Sequence, residues 1–542
     1  MGRDGNAPYG SIGRMILTGL FVMSGALVFG IDVGEIGGFM AMTPFLKDYG
    51  YFDQKTQTYN IRASSQEAIN LLILVGAILS SMSAGWIGTR LGRRVGLFMG
   101  GFTALIGAVM QCASTHVAAL TICVRSLTVF SGGVGYASNF VPIYNAEVAP
   151  VQLRAIMIGF YQTGINIGQL VGACIDQGTH AMTTRWAYRI PLITQMFFPL
   201  VIGTGVWLLP ETPRWLLTVD KREKAAQSIR RLRGKKYPEE QVQKEIEDIS
   251  SHIALEREME RSTTYWDIFK GTNRRRTHIA CGIALWQVWS GPSFINVYGT
   301  YFFSVSGVKQ AFTANIVLQA TQLAGILIMF PSVKYLGRRA ILLWGGAAQT
   351  ICMFMVAIVG TADPNSTASS KSLVAFCCLY GFFFTWSWGS VGWVVISEIA
   401  STALRSRTQS IATIVNWLGT MLIQIILPYL INTDEANLGV KVGFIFGGLC
   451  LLGYIWAFFF VPETKGRTLE QLDEMFINVS TDRRINRDGC IADCFQQKLS
   501  IREFNRFVFP IEKINGVVSS QTDSSNSGEK EGVMVDVEKV SP

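Results

Sequence analysis

Apolar residues gather into twelve runs of roughly twenty, with polar residues and arginine concentrated at the joints between them. The runs cover residues 15–38, 68–88, 95–114, 117–140, 155–176, 191–209, 279–301, 314–333, 340–360, 373–396, 409–431 and 442–461. An apolar helix of about 20 residues crosses the hydrocarbon layer of a bilayer. The pattern therefore predicts an all-α membrane protein with twelve transmembrane helices. The first run follows Arg3 and Arg14, as a secretory signal would, but it is too long for one and carries Asp32 and Glu35. It is read as a spanning helix.

The second half of the chain repeats the first. Leu91-Gly92-Arg93-Arg94 returns as Leu336-Gly337-Arg338-Arg339, Glu147 with Arg154 as Glu398 with Arg405, and Pro210-Glu211-Thr212 as Pro462-Glu463-Thr464. Each copy lies about 250 residues beyond the original, the plan of a secondary transporter with its site between two related halves. The expected division is an N-terminus over 1–14, six-helix bundles over 15–209 and 278–461, a linker over 210–277 and a tail over 462–542. Apolar residues at roughly helical spacing between the charges of the linker, among them Lys221-Arg222-Glu223-Lys224 and Arg230-Arg231, predict short helices. These either lie amphipathically under the membrane or form a solvated connection. The serine-rich end of the tail is expected to be disordered.

Composition agrees with a lipid-dissolved chain: 49% of residues are hydrophobic, 16% are charged and the mean hydropathy is +0.31. The net charge of +9 is not spread over a nucleic-acid-binding face. Arg90, Arg93, Arg94, Arg154, Arg338, Arg339, Arg405 and Arg407 instead fall in short loops on one side of the alternating spans. By the positive-inside rule that side is the cytoplasm, with both termini and the linker. Most of the ten cysteines sit within apolar runs as buried thiols, and Cys490 with Cys494 lacks the further ligands of a metal site. No cofactor or metal is expected. Asn365-Ser366-Thr367 is an acceptor pattern for N-linked sugar.

Four segments, 85–94, 142–150, 210–216 and 462–467, resemble the signatures of the sugar porter family within the major facilitator superfamily, and the likeness runs from Phe29 to Phe476. The loops and tail are similar in style to fungal members. The resemblance implies the major facilitator fold, two six-helix halves and a plasma-membrane sugar transporter working by alternating access. It also implies that Arg93, Arg94, Glu147, Arg154 and Glu211, with Arg338, Arg339, Glu398, Arg405 and Glu463, latch the halves on the cytoplasmic side. Arginine forks and carboxylates are suited to such clusters, and to fixing helix ends within one half as the alternative. The chain departs from the family in having Thr89, and a residue near Lys334, where an acidic group is usual.

A sugar presents hydroxyl groups and an apolar ring face, which call for amide side chains and an aromatic platform. Gln162 and Gln169 share one face of the fifth span; Gln287, Ser290 and Asn296 lie in the seventh, where Pro292 interrupts the helix. Resemblance matches Gln162, Gln169 and Gln287 to sugar-porter glutamines, Trp393 to a tryptophan that stacks on the ring, and Asn416 to an eleventh-helix asparagine. Val288 and Ser293 depart from the pattern. Interhelical hydrogen bonding is the alternative role for the glutamines, and packing for Trp386, Trp388 and Trp393. Ionisable groups inside a span point to a partner or a wet path. Asp32, in a Phe-Gly-x-Asp pattern, and Arg125 match the proton-coupling pair of the family's symporters; in a facilitator they would be a permanent ion pair. The expected partners are a sugar, a proton and the lipid bilayer, without nucleic acid. A facilitative carrier and a non-transporting sugar sensor are the competing readings; an enzyme is not expected, since no nucleophile elbow, phosphate loop or metal cluster appears.

Overall fold

The computed structural model describes residues 12–465, apart from 55–57, 114–118, 150–152, 235–236, 263, 307, 363–365, 402–403, 433–435 and 437, together with Leu472 and Phe476. Asn365, the Cys490 and Cys494 pair and nearly all of the tail lie outside the described residues. The first half contains α1 (Ile12–Phe39), α2 (Thr43–Tyr49), α3 (Ala63–Arg90), α4 (Arg93–Ala113), α5 (Ala119–Val148), α6 (Arg154–Thr179), α7 (Trp186–Thr194) and α8 (Phe197–Gly205). The linker forms α9 (Pro213–Thr218), α10 (Arg222–Arg233) and α11 (Glu239–Ser262). The second half contains α12 (Gly271–Trp289), α13 (Pro292–Val305), α14 (Ala311–Tyr335), α15 (Arg338–Ala362), α16 (Thr367–Trp386), α17 (Trp388–Ile399), α18 (Arg405–Ile431) and α19 (Val442–Phe460).

All twelve predicted spans are helical, three of them as broken pairs: α7 with α8, α12 with α13, and α16 with α17. Among the described residues, eight spans are long and apolar enough to cross a membrane on composition alone. The other four are α3, α5, α6 and the pair α12 and α13; α6, for example, carries Gln162, Thr163, Asn166, Gln169 and Asp176. One small departure from an all-helical chain is an antiparallel hairpin, β1 (Tyr51–Asp53) with β2 (Thr58–Asn60), in which Phe52 faces Tyr59.

Helix contacts repeat as the sequence does. In the first half α4 packs on α5 and α8, α3 on α5, and α1 on α6; in the second, α15 packs on α16 and α19, α14 on α16, and α12 on α18. The halves meet along α6 and α14, α3 and α18, and α1 and α13. The linker helices dock on the first half: Trp215 Nε1 donates to the Thr89 carbonyl at 3.0 Å, and buried Arg233 pairs with Glu245 at 2.6 Å and touches Met15. At the other end, Phe476 packs into the second half's core, with the Arg276 guanidinium 4.6 Å from its ring centre.

The tightest of these interfaces is α1 on α6. Gly30, Gly34 and Gly38 recur at every fourth position, as do Gly164, Gly168 and Gly172, so each helix offers a side-chain-free stripe. A β-carbon at Gly168 would lie 2.8 Å from Gly30 Cα, and one at Gly34 would lie 2.7 Å from the Gln169 carbonyl oxygen. Backbone therefore rests on backbone, and dispersion between the helices takes the place of the hydrophobic effect, which lipid does not supply. Gly168→Leu is expected to wedge this seam apart and to cost about 1–3 kcal/mol as overpacking, read as a lower thermal midpoint in detergent. Gly178→Leu, where an added β-carbon meets nothing within 4 Å, should leave the midpoint unchanged.

Candidate functional site

The repeated arginines open helices. Arg93 begins α4 and Arg338 begins α15, so the first amides of both lack intrahelical acceptors. Glu211 accepts from the backbone N–H of Arg93 and Arg94, each at 3.1 Å, and Glu463 from those of Arg338 and Arg339 at 2.9 and 3.2 Å. Both carboxylates thus cap the positive end of a helix. Burial pushes the Glu211 carboxyl above its ordinary range, and the amide donors of Thr212, Arg94 and Arg93 pull against that shift.

Ion pairing falls to the neighbouring groups. Arg93 donates through Nη2 and Nε to Glu147 Oε1 at 2.7 and 3.2 Å, and Arg338 Nη2 reaches Glu398 Oε1 at 3.1 Å. Arg94 and Arg339 turn instead to the carbonyls of Trp207 and Phe458, at 2.8 and 2.9 Å, and lie over the rings of the same residues. Within the clusters expected from sequence, Glu211 and Glu463 therefore also serve helix-start amides, while Arg94 still attracts Glu211 and Glu463 still attracts Arg339. Each of these bonds stays inside one half. The Arg154 side chain lies outside the described residues, and Arg405 is half-buried with Nε and Nη2 unbonded among them.

In the second half, the break between α12 and α13 organises the polar interior. Gly291 adopts φ 103°, a left-handed conformation that favours glycine, and Pro292 opens α13. The break frees the Ser290 carbonyl, which accepts from Tyr380 Oη at 2.9 Å and Cys450 Sγ at 3.1 Å. Ser290 Oγ donates to the Gln287 carbonyl. Gln287 is fully engaged: Nε2 donates to the carbonyls of Trp388 and Gly389 at 2.8 and 3.1 Å, and Oε1 accepts from Asn416 Nδ2 at 3.0 Å. One side chain thereby ties α12, α17 and α18 together.

Asn296 leads to a set of amides that sequence reasoning missed. Its Oδ1 accepts from Gln322 Nε2 at 2.7 Å, while Gln319 Nε2 donates to Asn315 Oδ1 at 3.3 Å. Asn315, Gln319 and Gln322 are all buried on α14, and the Oε1 atoms of both glutamines lack a partner among the described residues. Their signal was available: amides at i, i+4 and i+7 in an otherwise apolar run. Across the interface on α6, Gln162 is half-buried and Gln169 is 5% exposed, and neither side chain forms a hydrogen bond among the described residues. Gly159 lies against Phe330 and the His180 ring stacks on Phe312, which fixes the antiparallel register of α6 and α14. Interpolating between these contacts brings Gln169 level with Gln322. Trp393 is half-buried in the second half's core, and its neighbour Gly392 faces Gln287 Nε2. Trp386 and Trp388 donate to Ser332 Oγ and the Leu342 carbonyl, each at 3.1 Å.

Asp32 is buried on α1, and its Oδ1 accepts from Gln195 Nε2 at 3.0 Å, a partner from the α7–α8 junction that sequence did not single out. Oδ2 has no partner among the described residues. Arg125 belongs to α5, but its side chain lies outside the described residues. Among the described residues, then, the Asp32 carboxyl is held by one neutral amide, and a buried ionisable group in a span marks a wet path or a partner.

The family model described as "Sugar (and other) transporter" matches residues 18–476. The probable glucose transporter rco-3 of Neurospora crassa is 33% identical over 87% of this chain and 80% of that protein. The high glucose sensor RGT2 of Saccharomyces cerevisiae is 30% identical over 96% of this chain and 68% of its own length. Among solved structures, the inward-open xylose transporter XylE of E. coli superposes with a TM-score of 0.70 at 21% identity, covering 85% of this chain and 99% of that one. Because the match runs through both halves and the linker between them, the chain belongs to the sugar transporter family of the major facilitator superfamily, a family of integral membrane carriers and not of enzymes.

Proposed function

We propose that this protein carries a sugar with a proton into the cell across the plasma membrane, the two halves rocking about an amide-lined chamber between α6, α12, α14 and α18. The observation that carries the reading is an asymmetry of contact. At the end away from the arginine clusters the halves are joined: Tyr429 Oη donates to Glu67 Oε2 at 2.7 Å, Asn432 Nδ2 reaches the Ile61 carbonyl at 3.5 Å, and Gly37 lies against Val297. Toward the cluster end, among the described residues, Arg93 with Glu147 and Arg338 with Glu398 bond within their own halves, and Gly159 against Phe330 is an apolar contact between the halves. With the clusters on the cytoplasmic side by the positive-inside rule, this is an inward-facing carrier. Its Arg93, Arg94, Glu147, Arg154, Glu211, Arg338, Arg339, Glu398, Arg405 and Glu463 are the groups that regroup across the halves when the chamber opens outward.

In this reading Gln162, Gln169 and Gln322 contact sugar hydroxyls and Trp393 the ring, while Gln287, Ser290, Asn296 and Asn416 set the walls through their mutual bonds. Asp32 takes the proton, and Arg125 answers its change of charge. The glucose named for rco-3 favours a hexose. Uptake of hexoses, pentoses, disaccharides and cyclic polyols in a transport-deficient host, with and without a protonophore, tests the function. Accumulation that the protonophore and Asp32→Asn both abolish is the expected result; uptake indifferent to the protonophore would make it a facilitator. No uptake of any sugar would favour a sensor, the activity named for RGT2.

The amides separate by readout. Gln169→Ala removes about 1 kcal/mol of sugar binding and should raise KM roughly fivefold with little change in thermal midpoint, whereas Gln322→Ala also takes the donor from buried Asn296 and should raise KM and lower the midpoint together. Gln287→Ala leaves two carbonyls and Asn416 short of partners and should instead lower the midpoint by several degrees.

A further inference from the structure

The glycine seam between α1 and α6 encloses a second pair of carboxyl groups. A β-carbon at Gly172 would lie 3.2 Å from Glu35 Cγ, so the Glu35 side chain crosses the seam one turn before Asp176, whose carboxyl in turn presses on Gly38. Glu35 and Asp176 are each 1% exposed, and none of their four oxygens has a hydrogen-bond partner among the described residues. Glu35 interacts electrostatically with Asp32 on one side and Asp176 on the other. We propose that Glu35 and Asp176 share a second coupling proton, separate from the one carried by Asp32.

Among the described residues the pair lacks a donor. Two carboxylates can only accept, so a buried facing pair leaves every oxygen unsatisfied, whereas one proton between them creates an O–H···O bond and removes a negative charge. Glu35 is a buried side chain, unpartnered among the described residues, that reaches from the opposite helix to Gly172, one turn before Asp176. Other titratable or charged groups on the packed elements include Asp32 on α1, Tyr161 on α6, His180 just past the end of α6 and stacked over Phe312, Lys334 and Tyr335 at the end of α14, and Arg125 on α5, whose side chain lies outside the described residues. Arg189 on α7 acts on Cys112 of α4, and α13 contributes the phenols Tyr298 and Tyr301. The neutral partner Gln195 is already bonded to Asp32.

The pair also sits where its charge can act on the gate. Gly38 faces Asp176, and the adjacent Gly37 faces Val297 of α13 at 2.6 Å from where its β-carbon would stand. A proton arriving from outside lets α1 close on both neighbours. Its release to the inside leaves two carboxylates that repel across α6 and α1, loosening the Gly37–Val297 contact and favouring return. Only an O–H bond forms and breaks, and the proton taken up on one side leaves on the other.

The inference rests on the proton-coupled reading above, and its test keeps the two apart. In proteoliposomes, the charge moved per sugar should fall from about two in the wild type to about one in Glu35→Gln and in Asp176→Asn, because each removes one site of a coupled pair. Independently of transport, infrared difference spectra of the purified wild type over a pH titration should contain a protonated-carboxyl band that both variants lose and Asp32→Asn keeps. Folded variants with the wild-type charge ratio, or a wild type lacking that band, overturn the shared proton. A wild type that shows the band but moves no charge with sugar upholds the pair and overturns symport.

Discussion

Backbone contact between α1 and α6 is the constraint on which the first half is built. Lipid offers no hydrophobic gain for bringing two helices together, so close approach must supply the attraction. Gly30, Gly34, Gly168 and Gly172 allow it, and the same approach sets where Asp32, Glu35 and Asp176 stand. The equivalent pair in the second half, α12 with α18, is joined differently. There Gln287 and Asn416 hydrogen-bond across the interface, with Gln287 extending the tie to α17. One repeat relies on shape and the other on amide bonds, which gives the first half a seam sensitive to charge and the second a seam sensitive to hydrogen-bond partners.

The broken helices follow from the same medium. In a bilayer interior every freed carbonyl or amide needs an internal partner. The break at Gly291 is sealed by Tyr380 and Cys450 on the Ser290 carbonyl. The break at Ser387 is sealed by its own hydroxyl, which donates to the Phe383 carbonyl at 2.6 Å and accepts from Gln349 Nε2 at 3.1 Å. Both breaks lie next to Gln287 and the start of α17, so the second half is jointed where the proposed chamber is lined. At the helix starts facing the linker, Glu211 and Glu463 do the corresponding work for unpaired amides, leaving Arg93 and Arg338 to their carboxylate partners.

Much of this was legible in the chain. Apolar runs of spanning length marked all twelve helices, the repeated motifs marked two halves, and Pro292 marked one break. The break at Ser387 carried no proline and depends on side-chain bonds from α15, which no local pattern reveals. The Asn315, Gln319 and Gln322 ladder was visible as a helical period but lay in a run read only for its apolarity. Asp176 passed unnoticed because it stands near the end of its run, where a carboxylate ordinarily reaches water; only the packing of Gly38 against it makes it interior. The capping role of Glu211 depends on where α4 begins, a boundary that hydropathy does not define.

The central claim is that one chamber is exposed to either side by turns, with the halves now closed at the end away from the arginine clusters. Spin labels at Arg62→Cys and Lys309→Cys report that end, and labels at Thr89→Cys and Tyr335→Cys report the cluster end, all four positions being exposed. Double electron–electron resonance on both pairs, with and without a transported sugar at acidic and neutral pH, measures the motion directly. Distances that change in opposite directions at the two ends are the predicted result; distances that stay fixed, or that lengthen and shorten together, would contradict it.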